Sequence, residues 1–380
     1  MIVERALRPR IEEFLFKGKI IVLYGARQVG KTTLVKEIIN NYPDISLYLN
    51  CDEPDFRLKF SNKTSTGLKS LIGNKKLVVI DEAQSIRDMA ISLKLIADTF
   101  PDIQVIAAGS SSFELASNLN EPLTGRKIEF TLYPLSIVEL SAVYSDIDTD
   151  RLLTRFLVYG MYPEIVLSTD NTETLLKNLA YSYSFKDIFK FHGIKNPEVL
   201  EKLLRALALQ VGNEVSYNEL ASLIGIDKNA VANYIRILEQ AFIIFKLPPL
   251  SRNLRNEIKK SKKIYFYDNG IRNALINNLN PVEIRQDVGS LWENFFIVER
   301  MKFLKNAGID KNIYFWRTFQ KQEIDYIEEE NNLFHAFEIK WSKAKAKVPD
   351  IFSSTYPLKQ FTVVQPRNYR EYLKGVRGKG

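Results

Sequence analysis

The sequence predicts an α/β protein whose first third is built on a parallel sheet. Three apolar runs carry that expectation: Ile20 to Leu23, Leu77 to Ile80 and Gln104 to Ala108. Each has the length of a fully buried strand and leads into glycine, acidic or hydroxyl residues. The first run is followed, after a glycine-bounded loop, by Thr33 to Ile39, which has helical spacing.

That loop reads GARQVGKT, Gly25 to Thr32, and so has the spacing G-x-x-x-x-G-K-T between a predicted strand and a predicted helix. The context separates a phosphate-binding loop from a chance match. Gly25 and Gly30 let the backbone turn tightly, so that N–H groups across Ala26, Arg27, Gln28, Val29, Lys31, Thr32 and Thr33 can face phosphate oxygens. Lys31 is expected to reach the β- and γ-phosphates, and Thr32 to offer its hydroxyl to a magnesium ion. A purely structural glycine turn is the alternative. The pattern implies a site for a nucleoside triphosphate, ATP with Mg2+.

The second run ends in Asp81-Glu82-Ala83-Gln84. An aspartate ending a neighbouring strand is expected to hold the metal through water, which assigns Asp81. Glu82 is then placed to orient the attacking water. The bland reading is that an acidic pair simply closes a strand. The third run leads to Gly109-Ser110-Ser111-Ser112, so Ser110 or Ser111 is expected to sense the γ-phosphate. A helical stretch from Phe113 to Asn118, Leu123-Thr124-Gly125-Arg126 and a strand from Lys127 to Leu132 follow. This order of strand, polar sensor, helix, arginine and strand resembles the AAA+ ATPase core. The resemblance implies an arginine finger at Arg126, stabilising charge on the γ-phosphate. Pairing of Arg126 with a local carboxylate is the competing reading.

The chain has 380 residues, 46% of them hydrophobic and 26% charged, which suits two or three globular domains. No stretch approaches the ~18 uninterrupted apolar residues of a membrane span. The N-terminal MIVERALRPR lacks a signal-peptide apolar core, so a cytoplasmic location and no membrane partner are expected. Cys51, the single cysteine, excludes an intramolecular disulfide, and the two histidines, His192 and His335, exclude a His-rich zinc site. A formal net charge of +8 favours polyanionic partners.

From residue 135 to about 195 the pattern is helical, with turns at Ser145-Asp146 and Gly160-Met161-Tyr162-Pro163. Its size and place are those of a lid that closes over nucleotide. The Gly-x-x-Pro element at 160–163 resembles one that related ATPases set against the base, though a helix-breaking turn explains it as well. Residues 196–270 predict a winged helix-turn-helix. Its helices would be Tyr217 to Ile224 and Lys228 to Glu239, joined at Gly225. The spacing of Val231, Tyr234, Ile235 and Leu238 assigns them to the core and leaves Lys228, Asn229, Asn233 and Arg236 on the other face. Those residue types can contact phosphates and base edges of DNA, duplex or branched. A basic loop with Arg252, Arg255, Lys259, Lys260, Lys262 and Lys263, between strands Phe242 to Leu247 and Ile264 to Tyr267, would form the wing and touch DNA through Lys259 and Lys260. Docking to protein is the competing use of such a domain.

Residues 271–380 predict an amphipathic helix at Val288 to Leu304, three strands at Asn312 to Arg317, Glu323 to Glu328 and Leu333 to Trp341, a short helix near Asp350 to Ser354, and a strand at Phe361 to Val364. Alternation puts Glu338 and Lys340 on one strand face, and a facing Asp325 would complete a carboxylate cluster for one or two ions, Mg2+ or Mn2+. Order and residues together resemble the PD-(D/E)XK nuclease superfamily in its variant with a helix-borne glutamate, here Glu293. The resemblance implies metal ligation by Glu293, Asp325 and Glu338, with Lys340 positioning the nucleophile. An inactive nuclease-like fold retained for binding, or simple surface ion pairs, would carry the same residues.

Across most of its length the chain resembles a prokaryotic AAA+ ATPase family whose core precedes the domain DUF4143. The phrases that carry this are GARQVGKTTL, VVIDEAQ, AAGSSS, LTGRKIEFTLYPLSIVEL, YGMYPEIV, KIYFYDNGIRNAL, GSLWENFFIVERM, WRTFQKQEIDYI and FEIKWS. The serines after Gly109 depart from the asparagine or threonine usual in AAA+ sensors. The expected organisation is an ATPase core at 1–134, a helical lid at 135–195, the winged helix at 196–270 and the nuclease-like domain at 271–380. An ATP-hydrolysing protein acting on DNA, coupled to a metal-dependent nuclease, is the leading expectation. The alternative is a nucleotide-dependent switch whose later domains only bind nucleic acid or protein. A helicase is disfavoured, since no second RecA-like core is present. A homo-oligomer would be needed for an arginine finger acting between copies.

Overall fold

The computed structural model describes residues 2–60, 64–86, 88–110, 123–181, 196–251, 262–342 and 345–374. Ser111, the helix expected at 113–118, His192, Arg252, Arg255, Lys259 and Lys260 lie outside them. The chain divides into two compact units: Met1–Leu135 with Gln240–Phe242, and Ser136–Glu239 with Ile243–Gly380. The division at Leu135 falls beside the boundary expected at 134. Those expected at 195 and 270 fall inside the second unit.

The first unit holds a five-stranded parallel sheet in the order β2-β3-β4-β1-β5. Its strands are β1 (Ile20–Tyr24), β2 (Ser46–Asn50), β3 (Leu77–Asp81), β4 (Gln104–Gly109) and β5 (Lys127–Thr131). The three inner strands are buried at every position, whereas β2 and β5 at the edges are only partly so. That is why the inner strands read as unbroken apolar runs. One face packs Val22, Val78, Ile80, Val105 and Ala107 against Leu68, Ile72, Leu93 and Ile96 from the helices Ser65–Ile72 and Met89–Thr99. Phe242 lies against the same core. In the helix Lys31–Ile39, Leu34, Val35 and Ile38 are buried with no exposed surface. The chain leaves β1 towards one edge of the sheet and leaves β4 towards the other. The crevice between β1 and β4, at their C-terminal ends, is therefore the switch point where α/β sheets take ligands.

The second unit contains two sheets. In the smaller one β8 (Lys262–Phe266) lies between β6 (Glu214–Val215) and β7 (Ile244–Leu247), antiparallel to both. The larger has the order β12-β11-β10-β9, from β9 (Asn312–Arg317), β10 (Glu323–Glu330), β11 (Leu333–Ile339) and β12 (Leu358–Val364). Only the β11–β12 pair is parallel. Element for element this is the helix, three strands, helix and strand expected beyond residue 287.

The helix Val288–Ala307 departs from its expected amphipathic character, because 13 of its 20 residues are buried. It packs against β8, β11 and the helix Asn269–Leu275, so charged positions that a surface helix would give to water need protein partners. Arg300 forks onto Glu328 at 2.6 and 2.9 Å. Lys302 lies 2.8 Å from Glu299, whose other oxygen accepts the Ile137 N–H at 2.7 Å. Arg300 and its neighbour Lys311 hold the Glu328 carboxyl below its ordinary value despite its burial.

The helices Leu153–Tyr159 and Asn269–Leu275 touch so closely that a Cβ built on Gly270 would stand 2.0 Å from the Tyr159 carbonyl oxygen. Buried Asp268 caps the second helix through the Ile271 N–H at 3.1 Å and accepts the Met161 N–H at 2.6 Å. The 160–163 element is thus a helix-breaking turn anchored within this unit, with Pro163 at the first position of the helix Pro163–Leu167. Among the described residues no helix is long and apolar enough to cross a membrane.

Replacing Arg300 by Met should leave Glu328 buried with Lys311 as its remaining cation among the described residues, lowering the unfolding free energy of this unit by about 3–5 kcal/mol. Urea unfolding followed by tryptophan fluorescence, which reports Trp292, Trp316 and Trp341 here, checks this. An unchanged midpoint would contradict it.

Candidate nucleotide site and C-terminal charge cluster

Parallel pairing brings the ends of β1, β3 and β4 to one edge of the sheet, and with them three segments remote in sequence. Gly25 leaves β1 at φ 155° with its Cα so close to the next strand that a Cβ would stand 2.3 Å from the Leu132 carbonyl oxygen. Only glycine fits there. Gly30, at φ 98°, starts the helix Lys31–Ile39 in the left-handed region. The helix N-terminus therefore opens onto the loop, and its N–H groups and dipole favour an anion there.

Lys31 is 5% exposed and donates to the Gly25 and Ala26 carbonyls at 2.9 and 2.8 Å. Thr32 Oγ1 donates to Asp81 Oδ2 at 2.6 Å, and the Tyr48 hydroxyl donates to the same oxygen at 2.8 Å. A hydroxyl and a carboxylate side by side at the loop are the hard oxygen donors that magnesium takes, so these residues fit that ion. Glu82 follows in the left-handed region at φ 50°, a strained conformation for a glutamate. Burial pushes its carboxyl above the ordinary value, while the Lys31 ammonium and the Gln84 amide pull it back.

Nothing in the local sequence marks a role for Gln84, and the fold supplies one. Its amide nitrogen donates to Glu82 and, at 2.9 Å, to Ser110 Oγ; its oxygen accepts the Ser110 N–H at 3.3 Å. One side chain thus ties the end of β3 to the end of β4. Arg5 also escaped notice, since nothing local marks it. Buried, it donates to the Val29 and Tyr133 carbonyls, both at 2.6 Å, and so braces the loop from behind. Arg27 and Gln28 are exposed, and Thr33 faces outward.

Arg126 does not join this group. It precedes β5 beside the start of β1, since Ile20 pairs with Lys127 and Tyr24 with Thr131. That is the opposite edge of the sheet, roughly 16 Å from the loop at ~3.3 Å per residue. There it pairs with Asp98 at 2.5 Å, which is the local-carboxylate alternative. Within one chain Arg126 thus stands away from the phosphate-binding loop.

In the second unit the helices Tyr217–Ile224 and Lys228–Gln240 flank Gly225, which is left-handed at φ 79°. Val231, Ile235 and Leu238 are buried, while Lys228, Asn229, Asn233 and Arg236 are exposed. Asp227 caps the second helix through the Asn229 and Ala230 N–H groups, and Arg236 donates to Asn233 at 2.8 Å.

The acids expected to hold metal are brought together, but already have cationic and N–H partners. Lys340 Nζ lies 2.6 Å from Glu338 and 3.8 Å from Asp325. A bulge in β10 between Ile324 and Ile327 turns Asp325, whose carboxylate accepts the Ile339 N–H at 2.7 Å. Glu293 accepts from the Tyr265 hydroxyl at 2.6 Å and faces Lys263 at 3.1 Å. Burial pushes the carboxyls of Glu293, Asp325 and Glu338 above their ordinary values. Among the described residues no three His, Cys, Asp or Glu side chains converge as a metal site. As placed, Glu293, Asp325 and Glu338, expected to hold a second Mg2+ or Mn2+, face cations and N–H donors and do not form an open set of oxygen ligands for a divalent ion. The expectation for Lys263 is corrected. Instead of lying in a basic wing it is 1% exposed and faces inward.

Residues 17–141 match the model of an AAA domain, residues 150–282 a domain of unknown function, DUF8612, and residues 288–377 another, DUF4143. The AAA and DUF4143 matches follow one another in the order of the family that the sequence resembles. It is similar to an uncharacterized protein of Mycobacterium tuberculosis, 25% identical over 379 residues that cover 97% of this chain and 82% of the relative. An uncharacterized protein of Methanocaldococcus jannaschii is 26% identical over 341 residues, 82% of this chain and 75% of its own length. Among solved structures, the Aeropyrum pernix ORC1 protein in complex with DNA covers 73% of this chain and 93% of its own at 13% identity and TM-score 0.35. Pif1 helicase from Candida albicans covers 47% and 48% at 16% identity and TM-score 0.27. Likenesses this slight carry no conclusion about the chain.

Gln84→Ala removes the bridge but no loop residue. ATP turnover should fall about tenfold, the scale of a misplaced proton acceptor, with nucleotide affinity held within about twofold. Steady-state hydrolysis and titration of a fluorescent nucleotide check both. Equal losses in affinity and turnover would mean that Gln84 only holds the fold.

Proposed function

We propose that the protein is a magnesium-dependent ATPase whose nucleotide cycle governs how its second unit engages DNA. The observation that carries the reading is the convergence of Lys31, the Thr32–Asp81 pair and the Glu82–Gln84–Ser110 bridge at the switch point of the sheet. Lys31 and the loop N–H groups would bind the β- and γ-phosphates. Thr32 and Asp81 would hold the magnesium, which neutralises phosphate charge when bound. Glu82 would orient the attacking water and accept its proton. Ser110, through Gln84, would link the γ-phosphate position to that carboxylate, so presence or loss of the terminal phosphate shifts Glu82.

For DNA, the support is the exposed face of Lys228, Asn229, Asn233 and Arg236 on the second helix of a helix-turn-helix, in a chain of net charge +8. Lys228 and Asn229 lie in its first turn, the end that reads base edges in such motifs. An arginine-finger role for Arg126 would require a second copy of the chain. Metal-dependent cleavage is a second reading, favoured by the meeting of Asp325, Glu338 and Lys340 and opposed by their existing partners.

ATP hydrolysis should rise when duplex or branched DNA is added. Lys31→Ala should lose nucleotide binding; Glu82→Gln should keep it while turnover falls roughly 10²-fold or more. Turnover indifferent to every DNA would reject the coupling. Lys228→Glu with Arg236→Glu should weaken duplex binding and flatten its salt dependence by about two phosphate contacts. An unchanged salt slope would remove this face from the interface. Incubating the same DNAs with Mg2+ or Mn2+ settles the second reading, because it requires cleavage that Asp325→Ala abolishes.

A further inference from the structure

Lys263 leaves the central strand of the smaller sheet with its side chain 2% exposed. Its Nζ stands 3.1 Å from Glu293 Oε1 and 2.5 Å from Glu323 Oε1, and 5.5 Å from the centre of the Phe315 ring. Tyr265, two residues along and therefore on the same face of β8, donates to the same Glu293 oxygen at 2.6 Å. The helix carboxylate, Glu293, and a β10 carboxylate, Glu323, are thus joined through one buried ammonium group. Gly212 approaches Glu293 from another side, where a Cβ would stand 3.3 Å from its Oε1.

We propose that Lys263 is the resident cation of the C-terminal carboxylate cluster, so that this unit is held by a lysine-centred charge network and takes no divalent ion. A divalent ion needs several carboxylate oxygens about 2.0–2.6 Å away, and an ammonium already lodged among them repels it at the same range. The strand that carries Lys263 is paired on both sides, so the ammonium cannot leave without breaking the ladder or being stranded without its carboxylates. Lys340, the lysine of the nuclease-like pattern, is different: its side chain is 39% exposed and can swing aside. The decisive lysine therefore lies on β8, far in sequence from the pattern that suggested a metal. Burial works against the Lys263 charge, yet Glu293, Glu323 and Asp325 together raise its pKa above the ordinary value. The inference is independent of the ATPase reading.

The test is Mn2+ uptake by the full chain without nucleotide, read from the EPR signal of free Mn2+. Wild type and Asp325→Asn should take up the same Mn2+ at concentrations up to ~1 mM, the range of weak carboxylate sites. Lys263→Met, close in volume but uncharged, should gain one bound Mn2+ per chain, and Lys263→Met/Asp325→Asn should lose it. The melting temperature of Lys263→Met should then rise with Mn2+ while that of wild type does not. Wild-type binding that Asp325→Asn abolishes would overturn the proposal, because a metal would then displace the lysine. So would a Lys263→Met chain that is as stable as wild type and gains no ion. If Lys263→Met does not fold, the wild-type and Asp325→Asn pair still decides, and Lys263→Arg, which keeps the cation, should fold and take up no more Mn2+ than wild type.

Discussion

A charge can leave water only where other groups replace its hydration, and the site in each unit of this protein is arranged around a buried ammonium. In the first unit it is Lys31, held by the carbonyls of Gly25 and Ala26 within a loop whose N–H groups favour an anion. Carbonyl dipoles steady the ammonium without supplying a full negative charge, so it remains suited to phosphate. In the second it is Lys263, enclosed by the carboxyl groups of Glu293 and Glu323. The same physical problem is solved in one place so as to bind a ligand and in the other so as to hold elements together.

Around Lys31 the geometry follows from parallel pairing. Ladder register sets Asp81, Glu82 and Ser110 at the same sheet edge as the loop, and Gln84 joins them across β3 and β4. The register also excludes Arg126, which precedes β5 at the other edge. Around Lys263 the long helix Val288–Ala307 serves a comparable role. Its buried Glu299, Arg300 and Lys302 are each matched by a partner on the helix or on β10, so the helix is committed to one orientation.

Much of this was legible because local rules carry it. The spacing of Gly25, Gly30, Lys31 and Thr32, and the acidic end of the Leu77 to Ile80 run, identify the nucleotide loop and its carboxylates from covalent order alone. Helix and strand order beyond residue 287 was equally readable, since alternation and turn residues are local signals. Arg5, Tyr48 and Gln84 were not identified, because each acts on a group brought near by folding and no spacing marks it. Lys263 was misread for a related reason. A lysine flanked by other basic residues looks solvated in sequence, and only its place on a strand paired on both sides buries it.

The sequence by itself determined the class of the first unit, the phosphate-binding loop and the order of the later elements, because these depend on local periodicity and on side-chain chemistry at short spacing. Tertiary structure decided which charges meet. It paired Arg126 with Asp98, linked Glu82 to Ser110 through Gln84, and set Lys263 among the acids that the pattern had assigned to metal. Electrostatic partnership depends on distance in space and on exclusion of water, and neither is written in the spacing of residues along the chain.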